Sequence, residues 1–228
     1  MTDREQLHQN GYVLLRRAIP GEWLDGLRAT FDACVKPSDQ WPVPRGWDWR
    51  HSLLDDDPTV LAVCRLPSVL AAAGALIAER FFLSQVEGRE PLAGGGHQVL
   101  HRDLSEQRPG DRVNALAFLD DYGQENGATR IVPGSHRPEP GEAPFDFSDE
   151  SRSVQLCGSA GDILVFDADL VHAGSLNVVG GRRRTLLIGY CADVLYASHL
   201  ATAQLRNVRM DTSQRFDPSQ VEARGCSA

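Results

Sequence analysis

A chain of 228 residues, 42% hydrophobic and 24% charged, can bury a core without staples, and its composition excludes a disordered, collagen-like or coiled-coil protein. With 23 Lys+Arg against 31 Asp+Glu the formal charge is −8, a field that repels phosphate backbones and anionic membranes, so neither nucleic acid nor membrane is an expected partner. Five cysteines (Cys34, Cys64, Cys157, Cys191, Cys226) without a CxxC pair, a polar opening and no apolar run of membrane length point to a soluble, cytoplasmic protein.

In chain order, Glu5 to Gln9 opens a helix-rich first half and meets Gly11. Tyr12 to Leu15 follows as a short strand, and Trp23 to Val35 sets Trp23, Leu24, Leu27 and Phe31 at helical spacing. Val60 to Ile77 is again helical, interrupted at Pro67 and therefore two helices or one kinked one. These helices are expected to cover a sheet. Asp39 to Asp57, with Trp41, Trp47 and Trp49, reads as an aromatic loop, either a satellite hydrophobic cluster or a substrate lid. From Phe81 the pattern changes to short β-rich runs: Phe81–Val86, Gln98–Asp103, Val113–Leu119, Thr129–Val132, Val154–Leu156, Ile163–Phe166 and Arg183–Tyr190. Seven such runs between turn residues predict an antiparallel sandwich or jelly roll. The expected organisation is one domain over 1–228: a helix-rich covering region over 1–80, a jelly-roll core over 81–192 and a tail over 193–228, helix-like and then polar and loose.

In the run Leu100-His101-Arg102-Asp103-Leu104, strand alternation sends His101 and Asp103 to one face and Arg102 to the other. That is half of a metal site, or a surface pair in which the carboxylate orients the ring. The same letters begin a protein-kinase catalytic loop, but Arg108 stands where that loop needs Asn, and the other kinase motifs are missing. Downstream, the acidic turn Gly161-Asp162 feeds an apolar strand, and His172 lies just past its end. A lone His there is more often structural. With His101 and Asp103 it makes two imidazoles and one carboxylate, the facial set that leaves three positions of Fe(II) open for a bidentate cosubstrate and dioxygen. In Arg182-Arg183-Arg184-Thr185-Leu186-Leu187, alternation groups Arg183, Thr185 and Leu187 against Arg182, Arg184 and Leu186. A run of arginines is usually a solvated edge. A dicarboxylate held on a metal by one end needs a fixed cation at the other, and Arg183 is the best placed. His136, in Pro133-Gly134-Ser135-His136, reads as a locally bonded turn residue.

Together these stretches resemble the phytanoyl-CoA dioxygenase family of Fe(II)/2-oxoglutarate oxygenases. The resemblance rests on Asn10-Gly11-Tyr12-Val13-Leu14-Leu15-Arg16, on His101-Arg102-Asp103, on Glu125 through Arg137, and on Ala160-Gly161-Asp162 through His172, Asn177 and Arg183. It implies a mainly β protein with flanking α-helices and a double-stranded β-helix (jelly-roll, cupin-like) core. It further implies that Fe(II) is bound by His101, Asp103 and His172, that 2-oxoglutarate is held by Arg183 with help from Thr185 and Gln98, and that dioxygen is the second cosubstrate. Members of the family often carry serine two residues after the distal histidine; this chain has Gly174 there and Ser175 next to it.

The implied activity is hydroxylation of an unactivated C–H bond of a small metabolite or natural-product intermediate, with release of succinate and CO2. Desaturation, cyclisation or epimerisation by the same chemistry, or a ligand-binding jelly roll without turnover, are the alternatives. Asp103 favours oxygenation over halogenation, because related halogenases carry a small residue at that position. The expected partner is a small-molecule substrate. A polyanionic one would need a local basic patch, for which Arg45, Arg50 and Arg102 are the candidates. The oligomeric state is left open.

Overall fold

A computed structural model of the chain describes residues 1–138 and 141–225. Its strands are β1 (Tyr12–Leu15), β2 (Val35–Lys36), β3 (Trp49–Ser52), β4 (Phe81–Pro91), β5 (Arg112–Phe118), β6 (Arg130–Ile131), β7 (Val154–Gln155), β8 (Ile163–Asp167), β9 (His172–Ala173) and β10 (Thr185–Ala192). Seven form a sheet in the order β1-β8-β5-β10-β4-β3-β2, and three form a smaller one, β7-β6-β9, every pairing antiparallel. This is the double-stranded β-helix that the sequence predicts.

Alternation along the strands divides the interior in two. Val113, Ala115, Ala117, Ile163, Val165, Leu186 and Ile188 project toward the helices α2 (Leu24–Ala33), α3 (Pro58–Val63) and α4 (Pro67–Ile77), where they meet Leu27, Phe31, Val60 and Val69 in the main core. Phe118, Leu164 and Phe166 project the other way and meet Tyr122, Ile131 and Leu170 between the sheets. Helix α1 (Asp3–Asn10) starts on a Thr2–Glu5 capping box and stops at Gly11, which takes φ 79°. A Cβ on Gly11 would lie 2.6 Å from His136 Nδ1, so only glycine closes this turn. His136 is thereby a packing residue and not the locally bonded one that the sequence suggests, since neither ring nitrogen has a hydrogen-bond partner among the described residues.

Strand β4 carries one extra residue. Gly189 pairs with Gln85 and Tyr190 with Leu83, leaving Ser84 unpaired. The residues of β4 that enter the main core accordingly change parity, from Phe81 and Leu83 to Val86. Ser84 and Gln85 both reach the inter-sheet cavity as a result.

Four expectations need correction. The aromatic loop over 39–57 contains β3, because Trp49–Ser52 finds the free edge of β4, which runs on to Pro91. Its tryptophans separate: Trp41 is buried, Trp47 is exposed, and Trp49 faces the cavity. The run Gln98–Asp103 is not a strand. It makes one isolated bridge, His101 to His172, because its partner β9 is only two residues long. The tail is not loose over its described part. The Asp55 carboxylate accepts Arg209 N, Arg209 Nε and Met210 N at 2.6, 2.8 and 3.1 Å, and Phe216 pairs its backbone with Phe81. Cys34, Cys64, Cys157 and Cys191 are free thiols; Cys226 lies outside the described residues. Among the described residues no helix is long and apolar enough to cross a membrane.

Asp167, at the end of β8, gives the fold a pH dependence. One carboxylate oxygen accepts Asp169 N at 2.9 Å and the other has no partner. Burial raises its pKa from 3.8 to about 6. Between those values the folded chain holds a proton that the unfolded chain has released, so this group's contribution to stability falls as pH rises through the window. Asp167→Asn is expected to gain about 2 kcal/mol on the wild type between pH 4 and pH 7.5, taking 1.36 kcal/mol per pKa unit and allowing for relaxation. Urea denaturation at both pH values checks it; a difference that does not change with pH contradicts it.

Candidate metal centre

The His101 and His172 backbones exchange two hydrogen bonds, of 3.0 and 2.9 Å, which bring their rings to 4.5 Å between centroids. In each ring Nδ1 lies 2.9 Å from the carbonyl two residues upstream, Val99 for His101 and Leu170 for His172. A neutral ring in this position donates from Nδ1 and turns the lone pair of Nε2 inward. Asp103 completes the set: its two oxygens are 3.8 Å from His101 Nε2 and 3.7 Å from His172 Nε2. One donor atom from each of the three lies within 4.8 Å of the others. Burial lowers the pKa of His172, favouring the neutral form a metal requires.

Asp103 is not held by strand pairing beyond the His101 bridge. Its N–H donates to Ala168 O at 3.0 Å, and Asn114 Nδ2, on β5, donates to its carboxylate at 2.6 Å. Leu104, next in line, takes φ 57°, a left-handed conformation that costs a residue with a side chain roughly 1–2 kcal/mol. It turns the chain into a loop whose amides at Glu106, Gln107 and Arg108 are gathered by the Asp111 carboxylate. Val171 N donates to Ser135 Oγ at 2.8 Å, which fixes the approach to His172.

A cavity of about 310 Å³ opens beside the three side chains, and Arg183, Thr185 and Gln98 all line it. The predicted alternation holds even though Arg183 lies two residues before β10 begins. Arg182 is bonded to Glu90 and Asp32, and Arg184 to Asp120 and Asp32. Arg183 is 3% exposed, and no described residue gives its guanidinium a hydrogen bond or a carboxylate. It lies 4.6 Å from the Tyr122 ring and 5.5 Å from the Trp49 ring, a cation–π setting that offsets part of its desolvation. Burial pulls its pKa down. A buried cation facing a cavity with no carboxylate in salt-bridge reach, Glu90 acting on it only from a distance, is the state expected of half an ion pair.

Thr185 Oγ1 is bonded to the Tyr122 hydroxyl next to Arg183. Gln98 Oε1 accepts Gly174 N at 2.9 Å, leaving only its NH2 for a ligand. A Cβ on Gly174 would stand 2.5 Å from Gly96 O, so a serine cannot occupy this position without moving the Gly95–Gly96 turn. His97 is exposed. Tyr122 and Asn114 escape sequence reasoning, and Trp49 is visible only as one of three tryptophans in the aromatic loop. Only the alternation of β5 around Asn114 hints at one of them.

Other residues of the resemblance are structural. Asp162 accepts Arg17 N, Ser159 N and Arg16 Nη1 at 2.9, 3.0 and 2.8 Å, and Asn177 Nδ2 donates to Pro91 O and Gly181 O.

Known proteins resemble this chain in sequence or in fold. The chain is 29% identical over 201 residues to Dioxygenase FUM3 of Gibberella moniliformis, covering 84% of this chain and 65% of that one. It therefore spans less than two thirds of that relative's length. Among solved structures, HygX of Streptomyces hygroscopicus, with nickel, 2-oxoglutarate and hygromycin B bound, superposes with a TM-score of 0.68 at 17% identity, over 85% of this chain and 88% of that one. The 2-oxoglutarate-dependent epimerase SnoN from nogalamycin biosynthesis gives 0.67 at 18%, over 83% and 82%. The family model for phytanoyl-CoA dioxygenase (PhyH) matches residues 7–185, a span that takes in β1, the His101–Asp103 bridge, His172 and Arg183, and so the chain belongs to the phytanoyl-CoA dioxygenase family.

Proposed function

We propose that the protein is an Fe(II)/2-oxoglutarate-dependent dioxygenase that hydroxylates a small metabolite or natural-product intermediate. The observation that carries this is the pairing, in one cavity, of a His101/Asp103/His172 donor set with a buried Arg183 that has no counter-charge. The donor set suits the metal: two neutral imidazoles and a carboxylate, each imidazole with its Nδ1–H already bonded, are the ligands of a labile divalent iron with open positions. Bound there, iron supplies the activation of dioxygen coupled to decarboxylation of 2-oxoglutarate to succinate and CO2.

The chain's own residues do the rest. His101 Nε2, Asp103 and His172 Nε2 hold the metal, and Asn114 keeps the Asp103 carboxylate turned toward it. Arg183 takes the distal carboxylate of 2-oxoglutarate, with the hydroxyls of Tyr122 and Thr185 beside it. Phe166, set edge-on to His172 at 4.9 Å, and Trp49 exclude water. Asp103 fills the coordination position that a halide would need, which favours oxygenation. Adding Fe(II) and then 2-oxoglutarate without oxygen is expected to give a weak visible charge-transfer band, followed in air by substrate-dependent succinate. A chain that binds neither is not this enzyme.

Asn114→Ala is expected to weaken Fe(II) binding about 10–100-fold, the usual effect of losing a group that orients a ligand. Metal titration measures it, and 2-oxoglutarate affinity at saturating metal should not change.

A further inference from the structure

The strand register orders the cavity along one axis. Thr185, in register with Phe118, marks the Arg183 end; Asn114, which holds Asp103, is in register with Gly189; and Arg112 is in register with Cys191 beyond it. At about 3.4 Å per residue, Arg112 lies roughly 7 Å past the Asn114 level, and the Thr185 level lies roughly 14 Å on the other side of it. The proposed iron centre therefore sits between two cationic ends.

The second end is built rather than incidental. The extra residue in β4 turns Gln85 into the cavity, where its Oε1 accepts Arg206 Nη1 at 2.9 Å. Arg206 Nη2 is held by His199 Nδ1 at 2.8 Å, His199 O at 3.2 Å and Thr202 Oγ1 at 3.4 Å. None of these hydrogen-bond partners carries a charge; Glu106 acts on the guanidinium only from beyond hydrogen-bond reach, and Arg112 stands near it as a second cation. Arg112 has one carboxylate, Glu106, at 3.0 Å; with about a third of each side chain exposed, that pair is screened by water and weak. Leu116 and Leu187 line the Arg183 side of the Asn114 level, Phe166 stands at that level, and Ser84 and Gln85 line the side toward Arg112. Of the basic residues that the sequence singles out, Arg45 is paired with Glu87 and Arg50 with Glu90, and Arg102, bonded to Ser135 O, does not line this cavity.

We propose that Arg206 and Arg112 recognise an anionic group, a carboxylate or a phosphate ester, on the primary substrate, holding its apolar body across the Asn114 level where the reaction takes place. The proposal rests on the reading of His101, Asp103, His172 and Arg183 as the reaction centre. It also explains how a chain of net charge −8 can attract an anion: the cations are local and face the cavity.

The test is calorimetric titration of the full chain, saturated with Fe(II) and 2-oxoglutarate without oxygen, with phenyl phosphate, 3-phenylpropionate and neutral 3-phenylpropionamide. At least one anion is expected to bind ten times more tightly than the amide or better, and which one does separates a phosphate ester from a carboxylic acid. Arg206→Gln and Arg112→Gln should each remove most of that advantage, and Arg206→Lys should keep part of it, while 2-oxoglutarate affinity stays within twofold. Repeating the titration on Arg183→Met without 2-oxoglutarate keeps the two readings separable: an anion site survives there even if the cosubstrate assignment fails. Equal affinity for acid and amide, no binding of either anion, or anion binding unaffected by both glutamine variants would overturn the proposal.

Discussion

Arg183→Met is expected to abolish useful 2-oxoglutarate binding and to make the ligand-free protein more stable. The two effects have one cause. A guanidinium 3% exposed with no described hydrogen-bond partner has lost its hydration without gaining a counter-charge, and the Tyr122 and Trp49 rings return only part of that loss. An apolar side chain of similar length removes the cost, for a gain of about 1–3 kcal/mol in the free protein. The same change leaves the distal carboxylate of 2-oxoglutarate buried and unpaired, a loss of roughly 2–5 kcal/mol in affinity. Thermal unfolding with and without 2-oxoglutarate shows both: the cosubstrate should raise the melting temperature of the wild type and not that of the variant. Arg184→Ala is the control of opposite sign. It takes from the Asp120 carboxylate the two guanidinium bonds of 2.8 Å each and leaves it the residue-184 N–H and Arg28 at 3.3 Å, so it should lose about 1 kcal/mol of stability with 2-oxoglutarate affinity intact. An Arg184 variant that binds 2-oxoglutarate worse than the Arg183 variant would reverse the assignment.

His101→Ala, Asp103→Ala and His172→Ala are each expected to lose stoichiometric Fe(II), because two protein donors do not hold a labile divalent ion through desalting. His136→Ala should keep its iron. That ring packs against Gly11 and supplies no donor atom to the cluster. Metal analysis of the four purified variants decides it, with retained iron in all three ligand variants as the contrary result. Wild-type turnover in chloride or bromide should give unhalogenated product, since the proposed Asp103 ligand would leave no place for a halide.

Much of this arrangement is legible in the chain. The ligand residues are visible because a metal needs particular donor atoms, and His and Asp two apart, with His172 downstream, supply them. Arg183 is visible because strand alternation is a local rule, and it holds even where β10 has not yet begun. The same rule misleads at Gln98–Asp103. Alternation presumes a ladder, and a two-residue partner permits one bridge, so Asp103 is aimed by Asn114 and Ala168 rather than by strand geometry.

By itself the sequence determined the class of fold and singled out the proposed metal donors and the proposed cation for the cosubstrate, since each depends on residue type and short-range periodicity. Only the tertiary structure decided which charges are neutralised. Arg182, Arg183 and Arg184 are alike in the chain, and just one of them is without a carboxylate, because pairing depends on Asp32, Glu90 and Asp120 arriving from distant strands and helices. The same holds at the other end of the cavity. Arg206 faces it because a single extra residue in β4 re-aims Gln85, and because Asp55 ties the tail beyond it to the turn between β3 and α3. Local sequence carries conformation and chemistry. Counter-charge and burial are set by long-range packing, which no local pattern encodes.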